Sequence, residues 1–311
     1  MSDFPIVGLR SVAFGLPDPA AAEAFYVAVW KLEVAARAEG AVYLRGTGTD
    51  HHVLSLHPHP EPAVLSVTFR AASAEVLAQI ADRVPAGGGT LLHGPRASED
   101  PAGGTAIAFV DNQERVVRVV HGDRTVEPLP ASDSGPDSRP ERLTHVNINS
   151  RDVDASREFF EFVLGFRLSD RSGQMAFART NRDHHSVVIA TAPVNGFNHA
   201  AFLLPEWESV MVGAGRLVDA GFPIAWGVGR HGPGDNVFAY FIGPARFVIE
   251  YTAEVLQVDD TYQARGPKDW AWPPGRVDQW GIAPPKTDAC KHAQLAILYA
   301  PTENVAAGYE G

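Results

Sequence analysis

Three polar side chains stand on segments whose other residues suit a β-sheet: His145 in LTHVNI, His199 in FNHAAF and Glu250 in FVIEY. A polar group pointing into a sheet-lined interior costs free energy unless something pairs with it. Two imidazoles and one carboxylate are also the donor set of the non-haem iron(II) facial triad. Such a set binds a divalent ion on one face and leaves the opposite face open for substrate and dioxygen. Further candidates surround the three. His185 follows His184 just ahead of an apolar run, His231 sits in the glycine-rich GVGRHGPGDN, and Tyr240 lies ten residues before Glu250. A flexible loop can present a side chain to a ligand. Taken singly, each histidine reads better as a satisfied core or turn residue, and Tyr240 as a core tyrosine.

An internal repeat changes that balance. The segment LRSVAFGLPDPAAAEAFYVAVWKLE from Leu9 matches LTHVNINSRDVDASREFFEFVLGFR from Leu143, 134 residues on. Asp18 falls on Asp152, Phe25 on Phe159, Tyr26 on Phe160 and Leu32 on Phe166. The offset is 133 for Asp50-His51-His52 against Asp183-His184-His185, and for LSVTF against NHAAF. It is 131 where Phe109 to Val120 meets Tyr240 to Tyr251. Collinear matches of this kind mark a duplicated unit. Most aligned positions keep their apolar or turn character, as a shared core demands. Three change together: His145 is Ser11 in the first copy, His199 is Ser66, and Glu250 is Val119. The second copy is therefore expected to hold a metal that the first does not. His231 aligns with Asp100, and Tyr240 replaces Phe109. The pair His184-His185 recurs as His51-His52, which suits turn chemistry, and His184 reads as a surface residue.

The elements that must position these groups follow from periodicity. In the second copy a short strand at Val146 to Ile148 precedes a helix from Asp152 to Leu164. That helix is N-capped by the aspartate, apolar on one face and stopped by Gly165. Strands are expected at 174–179, 186–190 and 199–204, then a helix at 207–220 ending at Gly221, then strands at 239–242 and 247–251. This β-α-β-β grammar, repeated, is mixed α+β with mainly antiparallel sheets. The expected organisation is an N-terminal metal-free module at 1–126, a linker at 127–141, a catalytic module at 142–255 and a tail at 256–311. The linker, EPLPASDSGPDSRPE, is rich in Pro, Ser and Asp. The tail has no counterpart in the repeat. It carries Trp270, Trp272 and Trp280, which suit packing against the modules, or a lid or subunit contact. Phe177, Phe202 and Trp226 are candidates to line a cavity.

Composition agrees with an ordinary globular chain: 311 residues, 45% hydrophobic and 20% charged. The net charge of -11 argues against a general nucleic-acid binder. A single cysteine, Cys290, forms no internal disulfide and no cysteine-rich zinc site. The N-terminus does not read as a signal peptide, and no apolar run approaches membrane-spanning length, so a soluble cytoplasmic protein is expected.

Over roughly residues 5 to 255 the chain resembles the type I extradiol catechol dioxygenases of the vicinal oxygen chelate superfamily, which include catechol 2,3-dioxygenases and 2,3-dihydroxybiphenyl 1,2-dioxygenases. The resemblance implies two tandem modules of paired βαβββ repeats, with the metal in the C-terminal one. It implies Fe(II), with Mn(II) an alternative, on His145, His199 and Glu250. His185 would be the active member of its pair, stabilising the negative charge that reduction places on oxygen. His231, Tyr240 and Glu250, spaced by 9 and 10 residues, fit the family signature. His231 and Tyr240 would bond the substrate oxygens, with His231, titrating near neutrality, the better proton carrier. The implied reaction inserts both atoms of O2 into a catechol and opens the ring beside the diol, and the implied assembly is a homo-oligomer. The sequence departs from the signature at Ala239, at Gly243 and Arg246 in the turn GPAR, and at Asp235, which follows His231 by four residues. A glyoxalase-type isomerase or epoxide-opening resistance protein is the alternative, weakened because such sites usually draw ligands from two modules. A non-catalytic binding protein is the third reading.

Overall fold

The computed structural model describes residues 4–132 and 135–301; Asp133 and Ser134 of the expected linker and residues 302–311 of the tail lie outside the described residues. The first copy runs β1 (Ile6–Leu16), α1 (Pro19–Ala28), β2 (Glu33–Ala38), β3 (Ala41–Arg45), β4 (Leu54–Pro58), β5 (Ala63–Ala71), α2 (Ala74–Ala86), β6 (Thr90–Ala97), β7 (Thr105–Val110) and β8 (Val116–His121). The second repeats that order as β9 (Leu143–Ser150), α3 (Val153–Leu164), β10 (Arg167–Arg171), β11 (Met175–Arg179), β12 (Val187–Thr191), β13 (Gly196–Leu203), α4 (Trp207–Asp219), β14 (Trp226–Arg230), β15 (Val237–Ile242) and β16 (Val248–Ala253). Each half-copy is thus βαβββ. The strands absent from the sequence-derived grammar are β10 and β14, both at sheet edges.

The pairings order the sheets as β2-β3-β4-β1-β5-β8-β7-β6 and β10-β11-β12-β9-β13-β16-β15-β14. Most neighbours are antiparallel. The pairs β1–β4, β5–β8, β9–β12 and β13–β16 are parallel. Aligned residues do the same work in both copies. Asp18 accepts from the Ala21 N–H at 3.0 Å and Asp152 from the Ala155 N–H at 2.9 Å, each capping its helix. Gly165 ends α3 with φ of 71°, a conformation that favours glycine. Val153, Phe159, Phe160, Val163 and Leu164 form the buried face of α3. Each such apolar side chain contributes about 1.5–3 kcal/mol by leaving water.

One hydrophobic core runs through both copies. Across it Phe14 stacks on Phe247 at 3.8 Å and Trp30 on Tyr251 at 3.7 Å. The Tyr251 hydroxyl donates to the Trp30 carbonyl at 2.9 Å. The tail adds α5 (Asp288–Ala296) and β17 (Ile297–Tyr299). Strand β17 pairs antiparallel with β13 and parallel with β5, so the tail ties the two sheets together. Among the described residues no helix is long and apolar enough to cross a membrane.

Candidate active site

The register of the second sheet brings the candidate ligands to one level. Ala201 on β13 is the Cα partner of both His145 on β9 and Glu250 on β16, and Tyr240 on β15 is the partner of Glu250. His199 precedes Ala201 by two residues and so shares its face of the sheet. The result is a tight buried group. His145 Nε2 lies 3.2 Å from His199 Nε2, and Glu250 Oε2 lies 3.4 Å and 3.0 Å from those two nitrogens.

Neighbouring side chains decide which atoms bear lone pairs. Asn198 Nδ2 donates to Asn149 Oδ1 at 2.9 Å, while Asn198 Oδ1 accepts from Gln294 Nε2 at 2.6 Å. That oxygen also faces His199 Nδ1 at 2.9 Å, so Nδ1 carries the proton and Nε2 the lone pair. Thr144 Oγ1 lies 2.8 Å from His145 Nδ1 and fixes the second ring. Glu250 Oε2 is buried and makes no hydrogen bond among the described residues. A carboxylate oxygen stripped of water and facing imidazole lone pairs needs a cation. His145, His199 and Glu250 could supply one nitrogen, one nitrogen and one oxygen to a single ion, and this donor set fits a divalent metal. Burial lowers His199 to about 4, against the pull of Glu250, so at neutral pH it is in its ligating form.

His185 packs its ring 4.4 Å from that of His145. Its Nδ1 lies 3.1 Å from His184 Nδ1, and His184 Nε2 lies 2.9 Å from Asp170 Oδ2. His184 is therefore not a surface residue. It is fully buried, because the Asp170 carboxylate of β10 reaches it from beneath the site. The carboxylate accepts from His184 Nε2–H, so His184 Nδ1 accepts from His185 Nδ1–H, and the His185 Nε2 lone pair is left open. Burial and the neighbouring imidazoles push His185 well below the normal histidine range. Gly234 (φ of 86°) lies against this ring, and a Cβ there would come within 2.6 Å of His185 Cε1.

His231 stacks on Phe238 at 3.9 Å and places Nε2 3.1 Å from the Tyr240 hydroxyl. Burial pushes it down to about 3, so it is neutral at pH 7 and no longer titrates near neutrality as its type alone suggested. Burial and the Glu250 charge raise Tyr240 well above 10, so it remains a phenol. Asp235 faces away, accepting from Gln279 Nε2 at 2.6 Å in the loop.

These groups open on a cavity of about 530 Å3. Phe177 and Trp226 line it, as do His145, His185, His199, His231 and Tyr240. Phe202 does not; it is fully buried edge-on to Trp30 at 5.4 Å, since its register turns it to the core face. Trp270 and Trp272 line a separate surface recess with Gly232 and Arg265, and Trp280 lies under Arg230. The tail enters the central cavity instead through Lys286, Lys291, Gln294 and Leu295, which sequence reasoning missed. It also missed Asn147, whose buried Oδ1 has no hydrogen-bond partner among the described residues and whose place two residues after His145 was the available signal.

The first copy fills the corresponding region differently. The buried Arg10 guanidinium donates to Ser11 Oγ at 2.8 Å and to Asp100 Oδ1 at 2.9 Å, and contacts His52 Nε2. A fixed organic cation stands among the residues aligned with His145, His231 and His185.

A family model described as the Glyoxalase/Bleomycin resistance protein/Dioxygenase superfamily matches residues 142–251. Metapyrocatechase 2 of Cupriavidus necator is 30% identical over 229 residues, covering 66% of this chain and 68% of that protein. The chain belongs to the type I extradiol dioxygenases of the vicinal oxygen chelate superfamily. A further member, the iron-dependent extradiol dioxygenase of Rhodococcus jostii (strain RHA1), is 26% identical over 277 residues, covering 76% of this chain and 88% of that one. Among solved structures, the Mn(II)-bound glyoxalase from Novosphingobium aromaticivorans is 30% identical. It superposes with a TM-score of 0.86 over 92% of this dioxygenase and 94% of its own chain.

Proposed function

We propose that this dioxygenase holds Fe(II) on His145, His199 and Glu250 and inserts both atoms of O2 into a catechol-type diol, giving a ring-opened semialdehyde or keto acid. The unpartnered Glu250 Oε2 facing two imidazole nitrogens is the observation that carries the reading. The bound ion would supply a redox-active Lewis acid that takes the diol as an anion beside dioxygen. The chain's own groups do the rest. Tyr240, kept a phenol, donates a hydrogen bond to a substrate oxygen. His231, kept neutral by burial, bonds the Tyr240 hydroxyl through Nε2 and so orients it toward the substrate. His185 accepts a proton at Nε2 while His184 holds Nδ1, and the imidazolium so formed stabilises negative charge on oxygen. The cavity suits one substituted aromatic ring, with Phe177 and Trp226 as apolar walls.

A relative named for iron supports Fe(II). The manganese in the structural neighbour keeps Mn(II) as the competing ion, and that neighbour's description favours a glyoxalase-type reaction as the second reading. Against that reading, all three candidate ligands come from one copy, and His185, His231 and Tyr240 converge beside them. Family membership supports a soluble, cytoplasmic homo-oligomer.

The test is anaerobic reconstitution with Fe(II), then oxygen uptake against catechol, 3-methylcatechol, 2,3-dihydroxybiphenyl and a carboxylated catechol. Stoichiometric uptake with a yellow product is expected. No uptake with iron bound would overturn the reaction, and higher turnover with Mn(II) would overturn the metal.

A further inference from the structure

The cavity has an unneutralised positive charge in its wall. Lys286 stands half-buried in the segment leading into α5. Its Nζ donates to Gln294 Oε1 at 2.8 Å and lies 4.4 Å from the Trp226 ring centroid and 5.6 Å from that of Tyr240. An ammonium has three donors, and only one hydrogen bond, to a neutral amide, is formed among the described residues. Lys286 makes no ion pair with a carboxylate there. Lys291, which also lines the cavity, differs: it is exposed and pairs with Asp288 at 2.9 Å. Among the described residues no aspartate or glutamate lines the cavity. The buried carboxylate of this region, Glu250, belongs to the candidate metal centre. Holding a cation in a partly dry pocket without an anion is costly, and burial does push the Lys286 ammonium toward its neutral form. The cost is relieved when a ligand brings the counter-charge.

Position narrows the ligand's chemistry. Tyr240 lies between Lys286 and the triad, its ring 4.9 Å from that of His199. An aromatic ring with its diol at the triad reaches toward Lys286 along the Trp226 and Tyr240 wall. We propose that the physiological diol carries a carboxylate on its ring or on a short side chain, and that Lys286 is the specificity residue that pairs with it. This deepens the catechol reading and rests on it.

Lys286 also touches Gln294, which bonds Asn198 and through it His199, so a purely structural role must be separable. Equilibrium binding to the iron-loaded protein without oxygen does this, because it needs no turnover. The ligands are 3,4-dihydroxyphenylacetate and 4-methylcatechol, and the proteins are wild type, Lys286→Met and Lys286→Arg, each with its iron content measured. Wild type is expected to bind the carboxylated diol at least about tenfold more tightly than the methylated one. Lys286→Met should erase that ratio, since loss of a charged hydrogen bond is worth about 10- to 100-fold, and Lys286→Arg should restore much of it. Wild type without the preference, or a preference that survives in Lys286→Met, would overturn the proposal. So would equal weakening of both ligands with loss of iron, which would make Lys286 a support for His199. Lysine-dependent binding with no ring cleavage would uphold the carboxylate site and count against the proposed reaction instead.

Discussion

Asp170→Asn changes the shape of a side chain very little and should change the chemistry of a residue two contacts away. The Asp170 carboxylate is fully buried. Its Oδ1 accepts from the Arg265 backbone N–H at 2.8 Å, its Oδ2 from His184 Nε2–H at 2.9 Å, and both lie near the Tyr262 hydroxyl. An asparagine offers one acceptor and one donor group where the aspartate offers two acceptors. If its oxygen stays on the Arg265 N–H, its NH2 faces His184 and reverses that ring's tautomer. His184 Nδ1 then bears a proton opposite His185 Nδ1, 3.1 Å away, and His185 must move its own proton to Nε2. His185 loses the lone pair that accepts a proton in the reaction. A hydrogen bond to a charged group is worth about 1.5–3 kcal/mol. At 1.36 kcal/mol per decade, kcat should fall about 10- to 150-fold. The assay is oxygen uptake at saturating diol on iron-loaded protein, with iron content measured alongside. Iron should be unchanged, since neither Asp170 nor His184 reaches the triad. A kcat within about threefold of wild type would refute the Asp170–His184–His185 chain.

Asn198→Ala removes the acceptor that holds the proton on His199 Nδ1; metal affinity should fall about 10- to 100-fold by competition with a chromogenic chelator, with circular dichroism unchanged. In the first copy, burial and the Arg10 charge lower His52 to about 4, against about 6.5 for an unfolded histidine. Between those pH values the unfolded chain binds the extra proton, so stability falls as pH drops through this window. The contribution of His52 is up to about 3 kcal/mol at pH 4. Urea titrations of metal-free protein at pH 7 and pH 4.5 would show it, and His52→Gln should shrink the difference without abolishing it, since the buried His199 and His231 add to it in the same direction.

The repeat made much of the site legible, because the first copy shows what each position looks like without its chemistry. Ser11, Ser66 and Val119 against His145, His199 and Glu250 is a contrast within one chain. Helix α3 was equally readable, since Asp152, Gly165 and the apolar face agree. Strands β10 and β14 were not. RLSDR lacks alternating apolar residues, and WGVGR has two glycines in five residues and ends on a charge; each lies at a sheet edge, where a single pairing partner suffices and burial on both faces is not required. That omission hid Asp170, and with Asp170 the reason His184 is buried. Lys286 was out of reach for another cause: the tail has no partner in the repeat, so no aligned position marks the lysine that enters the cavity. The lowered pKa of His231 depends on how closely Phe238 and its neighbours cover the ring, which spacing does not encode.

The metal centre itself is tested most directly by counting bound iron. Wild type, His199→Ala and Glu250→Gln would each be reconstituted anaerobically with Fe(II), desalted and measured for iron per chain, with circular dichroism as the fold control. The convergence of two imidazole nitrogens and Glu250 Oε2 predicts close to one iron per wild-type chain and a large loss in both variants with the fold retained. Full iron in either variant, or none in wild type, would contradict it.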